Sequence, residues 1–221
     1  MERVLEPAEL MSDDEQARTY AEADFDGPDA NFIYQFGEHF PDYGGGGLVL
    51  DLGCGPANIT RRFAQRYPQA ILHGVDGSAA MLKYGHLALE RAGEGIISRV
   101  TLVQGFIPGV VLPAKEYDVI VSNSLLHHLT DPQALWTTIR QHSRVGTRVF
   151  VADLYRPANP EAAHQIMETY SGEAPEVLKR DFYNSLLAAF TPAEVEAQLI
   201  TAGLSHFTVQ TISDRHMIVY G

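Results

Sequence analysis

The stretch Val49-Leu-Asp-Leu-Gly-Cys-Gly-Pro-Ala-Asn-Ile-Thr60 is where chemistry is easiest to place. A short apolar run ends, glycines turn the chain, and a helix begins. Gly53 and Gly55 let backbone approach a bound molecule where a side chain would block it. A dinucleotide fingerprint wants a third glycine three residues after the second. That position is Asn58, so a nicotinamide cofactor loses its close helix–strand contact. Asp51, two residues before Gly53, suits a cationic ligand better than a pyrophosphate. Asp76 ends the next apolar run, where its carboxylate can accept two hydrogen bonds from a ribose diol and disfavours a 2′-phosphate. Further along, His127 and His128 stand side by side. An imidazole titrating near neutrality can remove a proton from a substrate oxygen or nitrogen, although a histidine at such a place often packs between helix and sheet. Cys54 reads as a small residue in the turn. No histidine pair has ligand spacing beside a matching carboxylate, so no metal is expected.

The elements that must hold these residues alternate. Strands are expected at 48–52, 70–75, 98–103, 117–122 and 147–152, with helices at 57–67, 78–91 and 131–142. Ser78 caps the second of these helices; Asp131 caps the third, with Pro132 in its first turn. Such a repeat means a parallel sheet with helices on both faces. Apolar segments 205–212 and 215–220, separated by Ser213-Asp214, must form an antiparallel hairpin. Upstream, helices are read over 8–25, with Leu10, Met11, Ala17 and Tyr20 as its apolar points, and over 29–40. Asp42 to Gly47 forms a flexible joint after them. Residues 153–190, before a helix capped by Thr191-Pro192, are too long for a plain connection. Two helices folded over the carboxyl ends of the strands are expected there, with Arg156, His164, Tyr170, Asp181 and Tyr183 available to shape a substrate pocket.

Composition narrows the function classes. The 221 residues are 45% apolar, ample for a core, and their length fits one domain, or a domain plus a small appendage. With 16 Lys+Arg against 28 Asp+Glu, the formal charge of −12 argues against a general nucleic-acid binder. One cysteine excludes a disulfide scaffold and suits a reducing, cytoplasmic setting. No apolar stretch approaches the roughly 20 residues of a membrane helix, and the acidic N-terminus is unlike a signal peptide. Acidic residues flank the expected substrate entrance, which favours a neutral or cationic small substrate, alongside the plainer reading of a solvated acidic surface.

Asp51-x-Gly53-x-Gly55, Asp76 at the second strand end, Tyr117-Asp118 and His127-His128-Leu129, taken in order, resemble class I S-adenosylmethionine-dependent methyltransferases. Ser122, His127-His128-Leu129 and Asp153-Leu-Tyr-Arg-Pro157 are similar to the small-molecule group that includes ubiquinone and menaquinone methyltransferases. The likeness covers residues 45–155 by motif and runs to the C-terminus by order of elements. It implies an α/β, Rossmann-like, seven-stranded and mostly parallel sheet with a C-terminal antiparallel hairpin. It implies a methyltransferase domain over 44–221, an N-terminal helical cap over 1–43, and 153–190 as a helical substrate cap.

The implied cofactor is S-adenosylmethionine, leaving as S-adenosylhomocysteine (SAH). Gly53 and Gly55 would pass under its methionine part, with Asp51 near the ammonium and Asn58 following. Asp76 would hold the ribose, and Gly77, Ser78 and Met81 would pack about the adenosine. Gln104, Gly105 and Phe106 occupy the stretch that usually supplies a polar side chain to adenine. Phe106 departs from that pattern and would pack on the ring instead. Ser122 and Asn123 would lie beneath the sulfonium, and Tyr20 would touch the cofactor from the N-terminal helix. The family's third glycine is Ala57 here. The expected reaction is methyl transfer to a small molecule by in-line displacement, with His127 and His128 as candidate bases. RNA or protein as acceptor, and a binding protein without transfer, are the alternatives. No nucleic acid or membrane insertion is expected, and a homodimer stays open.

Overall fold

The computed structural model describes residues 1–6, 14–23 and 25–221. Leu10 and Met11 of the expected first helix lie outside the described residues; α1 spans Asp14–Glu22 and α2 Asp26–His39. The core elements follow as β1 (Gly46–Leu52), α3 (Asn58–Arg66), β2 (Gln69–Asp76), α4 (Ala79–Ala92), α5 (Glu94–Ile97), β3 (Val100–Gln104) and β4 (Tyr117–Asn123). Then come α6 (Gln133–His142), β5 (Ser143–Leu154), α7 (Pro160–Ser171), α8 (Glu176–Ala188), α9 (Pro192–Ala202), β6 (Thr208–Thr211) and β7 (His216–Tyr220).

The seven strands form one sheet in the order β3-β2-β1-β4-β5-β7-β6. The first five are parallel, while β7 runs antiparallel to both β5 and β6. The expected fold class and hairpin are therefore present. Strand order reverses between β1 and β4, and at such a switch point the connecting helices diverge and open a crevice at the carboxyl ends. Alternation along the strands feeds two cores. Val49, Val119 and Val121 face Phe36 and Phe63 of α2 and α3. Leu50 and Ile120 face the opposite layer, with Leu135, Trp136 and Leu199 of α6 and α9. Trp136 is fully buried, and its indole N–H donates to Gln198 Oε1 at 2.9 Å.

Several expectations shift in detail. Gly46 and Gly47 belong to β1, paired with Gln69 and Ala70, and are not part of a joint. β5 begins four residues earlier than the periodicity predicts, with a register irregularity against Tyr117–Val119. Ser78 caps α4 as expected, accepting the Met81 N–H at 3.1 Å. The N-cap of α6, however, is Pro132. Asp131 sits one position outside and still accepts the Gln133 N–H at 2.9 Å, which serves the same orphan donor. In the 153–190 segment two helices do form, α7 and α8, around a small core of their own built on Leu154, Ala163, Met167 and Leu186.

Candidate functional site

At the switch point lies a cavity of about 530 Å³, within the roughly 300–1,000 Å³ typical of small-molecule sites. Its floor is the turn after β1. Gly53 has φ +73°, and a Cβ there would lie 2.9 Å from Leu125, so both conformation and space require glycine. The N–H groups of Gly53 and Cys54 both donate to Val75 O, at 2.8 and 3.0 Å, tying the turn to the end of β2. Ala57 occupies the left-handed region at φ +62°, which explains why a glycine would serve there. Across the turn, Gly77 leaves room for Phe106: a Cβ would meet the ring at 2.5 Å.

Carboxylates dominate the polar lining. Asp51 is 1% exposed, accepts the Thr60 hydroxyl at 2.5 Å, and is pushed up to about 7 by burial. Asp76 accepts the Gly55 N–H through Oδ2 at 2.9 Å and the Ser78 N–H through Oδ1 at 2.8 Å. Burial raises its pKa against the pull of those two donors. Asp29, presented by α2, is raised to about 6 by burial despite Arg62 at 3.8 Å. Desolvation disfavours the charged form of each, so a cation brought among them would be stabilised and would restore their ionisation. Tyr20, half-buried beside this group, is raised by desolvation to about 12.

Another part of the wall comes from His128, at the end of the 3-10 turn Leu126–His128, and from Leu5 and Glu6 of the N-terminal strap, residues 1–6. His127 is 3% exposed, and its Nδ1 meets Asp153 Oδ1 at 2.5 Å. Asp153 also accepts the N–H groups of Leu126 and Leu154, each at 2.7 Å. Burial works to lower the His127 pKa, but the Asp153 charge and hydrogen bond overcome it and hold it above the ordinary value. His128 lines the cavity, and its Nδ1 pairs with Glu6 Oε2. Arg3 fastens the strap: Nε donates to Ala188 O at 2.5 Å, and Nη2 to His127 O and Leu129 O at 2.8 and 2.9 Å. Its guanidinium also stacks over Phe190, 3.8 Å from the ring centre.

Glu6, His127 and His128 bring ligating atoms within 4.8 Å of one another, the one such grouping among the described residues. Both Nδ1 atoms are already engaged by carboxylates, so the grouping reads as a hydrogen-bonded network.

Of the residues singled out from sequence, Tyr20, Asp51, Gly53, Gly55, Asn58, Asp76, Gly77, Met81, Gly105, Phe106, Asn123 and His128 line this cavity. Ser78, Gln104, Ser122 and His127 do not. Ser78 caps α4, and Ser122 is fully buried with its hydroxyl donated to Leu52 O at 2.8 Å. Nor do Arg156, His164, Tyr170 and Tyr183. Arg156 is buried and pairs with Glu194 at 2.6 Å; Tyr170 donates to Asp214 at 2.9 Å; Tyr183 packs into the core of α7 and α8, with His164 against its ring. Sequence reasoning missed Leu5, Glu6, Asp29 and Ser124. Ser124 holds φ +56°, backbone strain of the kind that collects at functional sites, but a serine gives no sign of it in sequence.

Comparison with known proteins follows the same lines. Residues 49–146 match the family model described as a methyltransferase domain. A trans-aconitate 2-methyltransferase of Deinococcus radiodurans is 33% identical over 126 residues, 57% of this chain and 44% of the relative. One of Mycolicibacterium gilvum is 32% identical over 155 residues, 69% of this chain and 55% of the relative. The chain thus spans about half the length of the curated relatives it matches. Among solved structures, the plantazolicin methyltransferase BpumL, crystallised with SAH and a monoazolic desmethylPZN analogue, superposes with a TM-score of 0.71 at 14% identity, over 96% of this chain and 91% of that one. The likeness to class I S-adenosylmethionine-dependent methyltransferases holds in sequence match and in fold.

Proposed function

We propose that this chain transfers a methyl group from S-adenosylmethionine to a small-molecule acceptor by in-line displacement. The observation that carries the reading is a single cavity lined by the glycine turn, the strand-end carboxylates Asp51 and Asp76, and His128. Bound there, the cofactor supplies a methyl already activated by its sulfonium. Gly53 and Gly55 offer close backbone beneath the methionine part, and Asp51 faces its ammonium. Asp76 keeps free lone pairs beyond those taken by Gly55 and Ser78, enough to accept the ribose hydroxyls. Met81 and Phe106 give apolar cover for the adenine. An acidic cavity with no lysine or arginine in its lining suits a ligand bearing an ammonium and a sulfonium.

What remains for the protein is alignment and exclusion of water, the two effects that dominate when the leaving group is pre-activated. In this reading residues 1–43 and the 153–190 insertion form the helical cap over the methyltransferase domain, and His128 takes the acceptor's proton. Relatives named for trans-aconitate support a small-molecule acceptor. None of the described helices is long and apolar enough to cross a membrane, and one buried thiol suits work in the cytoplasm. Tritiated-methyl transfer tests the reading. Label should enter a pool of small metabolites and not RNA or protein, and SAH should bind by calorimetry. SAH binding without transfer to any pool would overturn the activity, and absence of binding would overturn the cofactor.

A further inference from the structure

We infer that the acceptor is an amine, cationic at neutral pH and seated against the Glu6 carboxylate, and not a polycarboxylic acid. This rests on the methyltransferase reading above. All 16 lysines and arginines of the chain lie among the described residues, and none lines the cavity. Recognition of a polycarboxylate draws on guanidinium or ammonium partners, bidentate where possible. The guanidinium bound to this wall, Arg3, is spent on three backbone carbonyls and the Phe190 ring. A tricarboxylate entering here would meet Glu6, Asp29, Asp51 and Asp76 with no fixed positive charge among the lining side chains.

Asp51 and Asp76 are accounted for by the cofactor. Glu6 is not. The strap carries it to the wall made by Leu5, His128 and Leu129, where Oε1 accepts the Ser185 hydroxyl at 2.6 Å and Oε2 pairs with His128 Nδ1. These two contacts fix a charged, largely buried carboxylate at the cavity, a seat for an ammonium. They also fix the histidine: with Nδ1–H donated to Glu6, Nε2 is left as the base. The seated ammonium gives up a proton to His128 Nε2 as the nitrogen becomes a nucleophile. Its lone pair forms the new N–C bond as the S–C bond breaks, with that electron pair going to sulfur and SAH leaving.

The test uses tritiated S-adenosylmethionine with a set of primary and secondary amines, carboxylates matched to each in carbon skeleton, and trans-aconitate. Label in amines alone is the expected result. The accepting amine should then bind SAH-loaded protein at least tenfold more weakly in Glu6→Gln by calorimetry, with Glu6→Asp restoring most of the affinity. SAH binding by each variant monitors its fold. Label in trans-aconitate or the matched carboxylates, label in none of the set, or an amine affinity indifferent to Glu6→Gln, each with SAH binding intact, overturns this inference alone. Loss of SAH binding by the unaltered protein overturns the methyltransferase reading with it.

Discussion

His127 and His128 are adjacent in sequence, yet one nitrogen of each is committed to a different carboxylate, and the two do different work. His127 is sealed against Asp153; His128 stands at the cavity with 35% of its side chain exposed. Removing His127 strands a buried carboxylate, so His127→Ala should cost about 3–5 kcal/mol of stability in denaturant unfolding. His128→Ala breaks a partly exposed pair worth about 1 kcal/mol or less, and should instead lower turnover by roughly 10²-fold or more as a lost base. Equal destabilisation by both would contradict this division. Asp76→Ala should weaken SAH binding by about 1.5–3 kcal/mol, the range for hydrogen bonds to a charged group; unchanged affinity in calorimetry would remove the ribose from Asp76. Sequence singled out Asp51 and Asp76 because each sits at a fixed offset from a strand end. It left the histidines indistinguishable, because their partners lie 26 and 122 residues away.

At the scale of elements, local signals carried and distant ones did not. The start of α9 is a capping box: Thr191 Oγ1 accepts the Glu194 N–H at 3.3 Å, and Glu194 Oε2 accepts the Thr191 N–H at 2.7 Å. Four consecutive residues, Thr-Pro-Ala-Glu, write that stop and start into the sequence. Thr191→Ala should cost about 1 kcal/mol, seen as a fall of about 2–4 °C in Tm. Glu194 also holds Arg156 from 38 residues away, and no local pattern announces it. That is why Arg156 reads as a substrate residue in the sequence and stands as a brace in the fold. The same holds for Tyr170 and Tyr183, which the packing of α7 and α8 absorbs. The strap of residues 1–6 was illegible for a related reason: it has no periodicity, and it is held by contacts spanning more than a hundred residues.

For the whole molecule, the strand–helix alternation was enough to read a doubly wound sheet and its crevice, because burial on both faces leaves apolar runs that turns punctuate. The charge of that crevice sets the pH response. Asp51 is raised to about 7 and His127 is also raised. Each folded-state pKa exceeds its unfolded value, so the stability each contributes is present at low pH and lost as pH rises through the folded value. His216, lowered to about 4 from 6.5, acts in the opposite sense, its stability gain with rising pH falling mainly between those two values. Between pH 6.5 and 8.5 the ligand-free protein should therefore lose stability. SAH, whose ammonium favours ionised Asp51, should stabilise it more at pH 8.5 than at pH 6.5. Thermal unfolding with and without SAH checks both signs; a ligand-induced shift that shrinks with rising pH would rule out Asp51 as the ammonium partner.

Trp136 is the chain's single tryptophan, buried against Gln198 and absent from the cavity wall. Its fluorescence is consequently an optical gauge of the α6–α9 core that needs no label. Emission should stay blue-shifted and unmoved when cofactor or amine binds, and shift to the red only when the core opens. Any cavity variant can thus be sorted by its spectrum into one that has lost a ligand and one that has lost its fold.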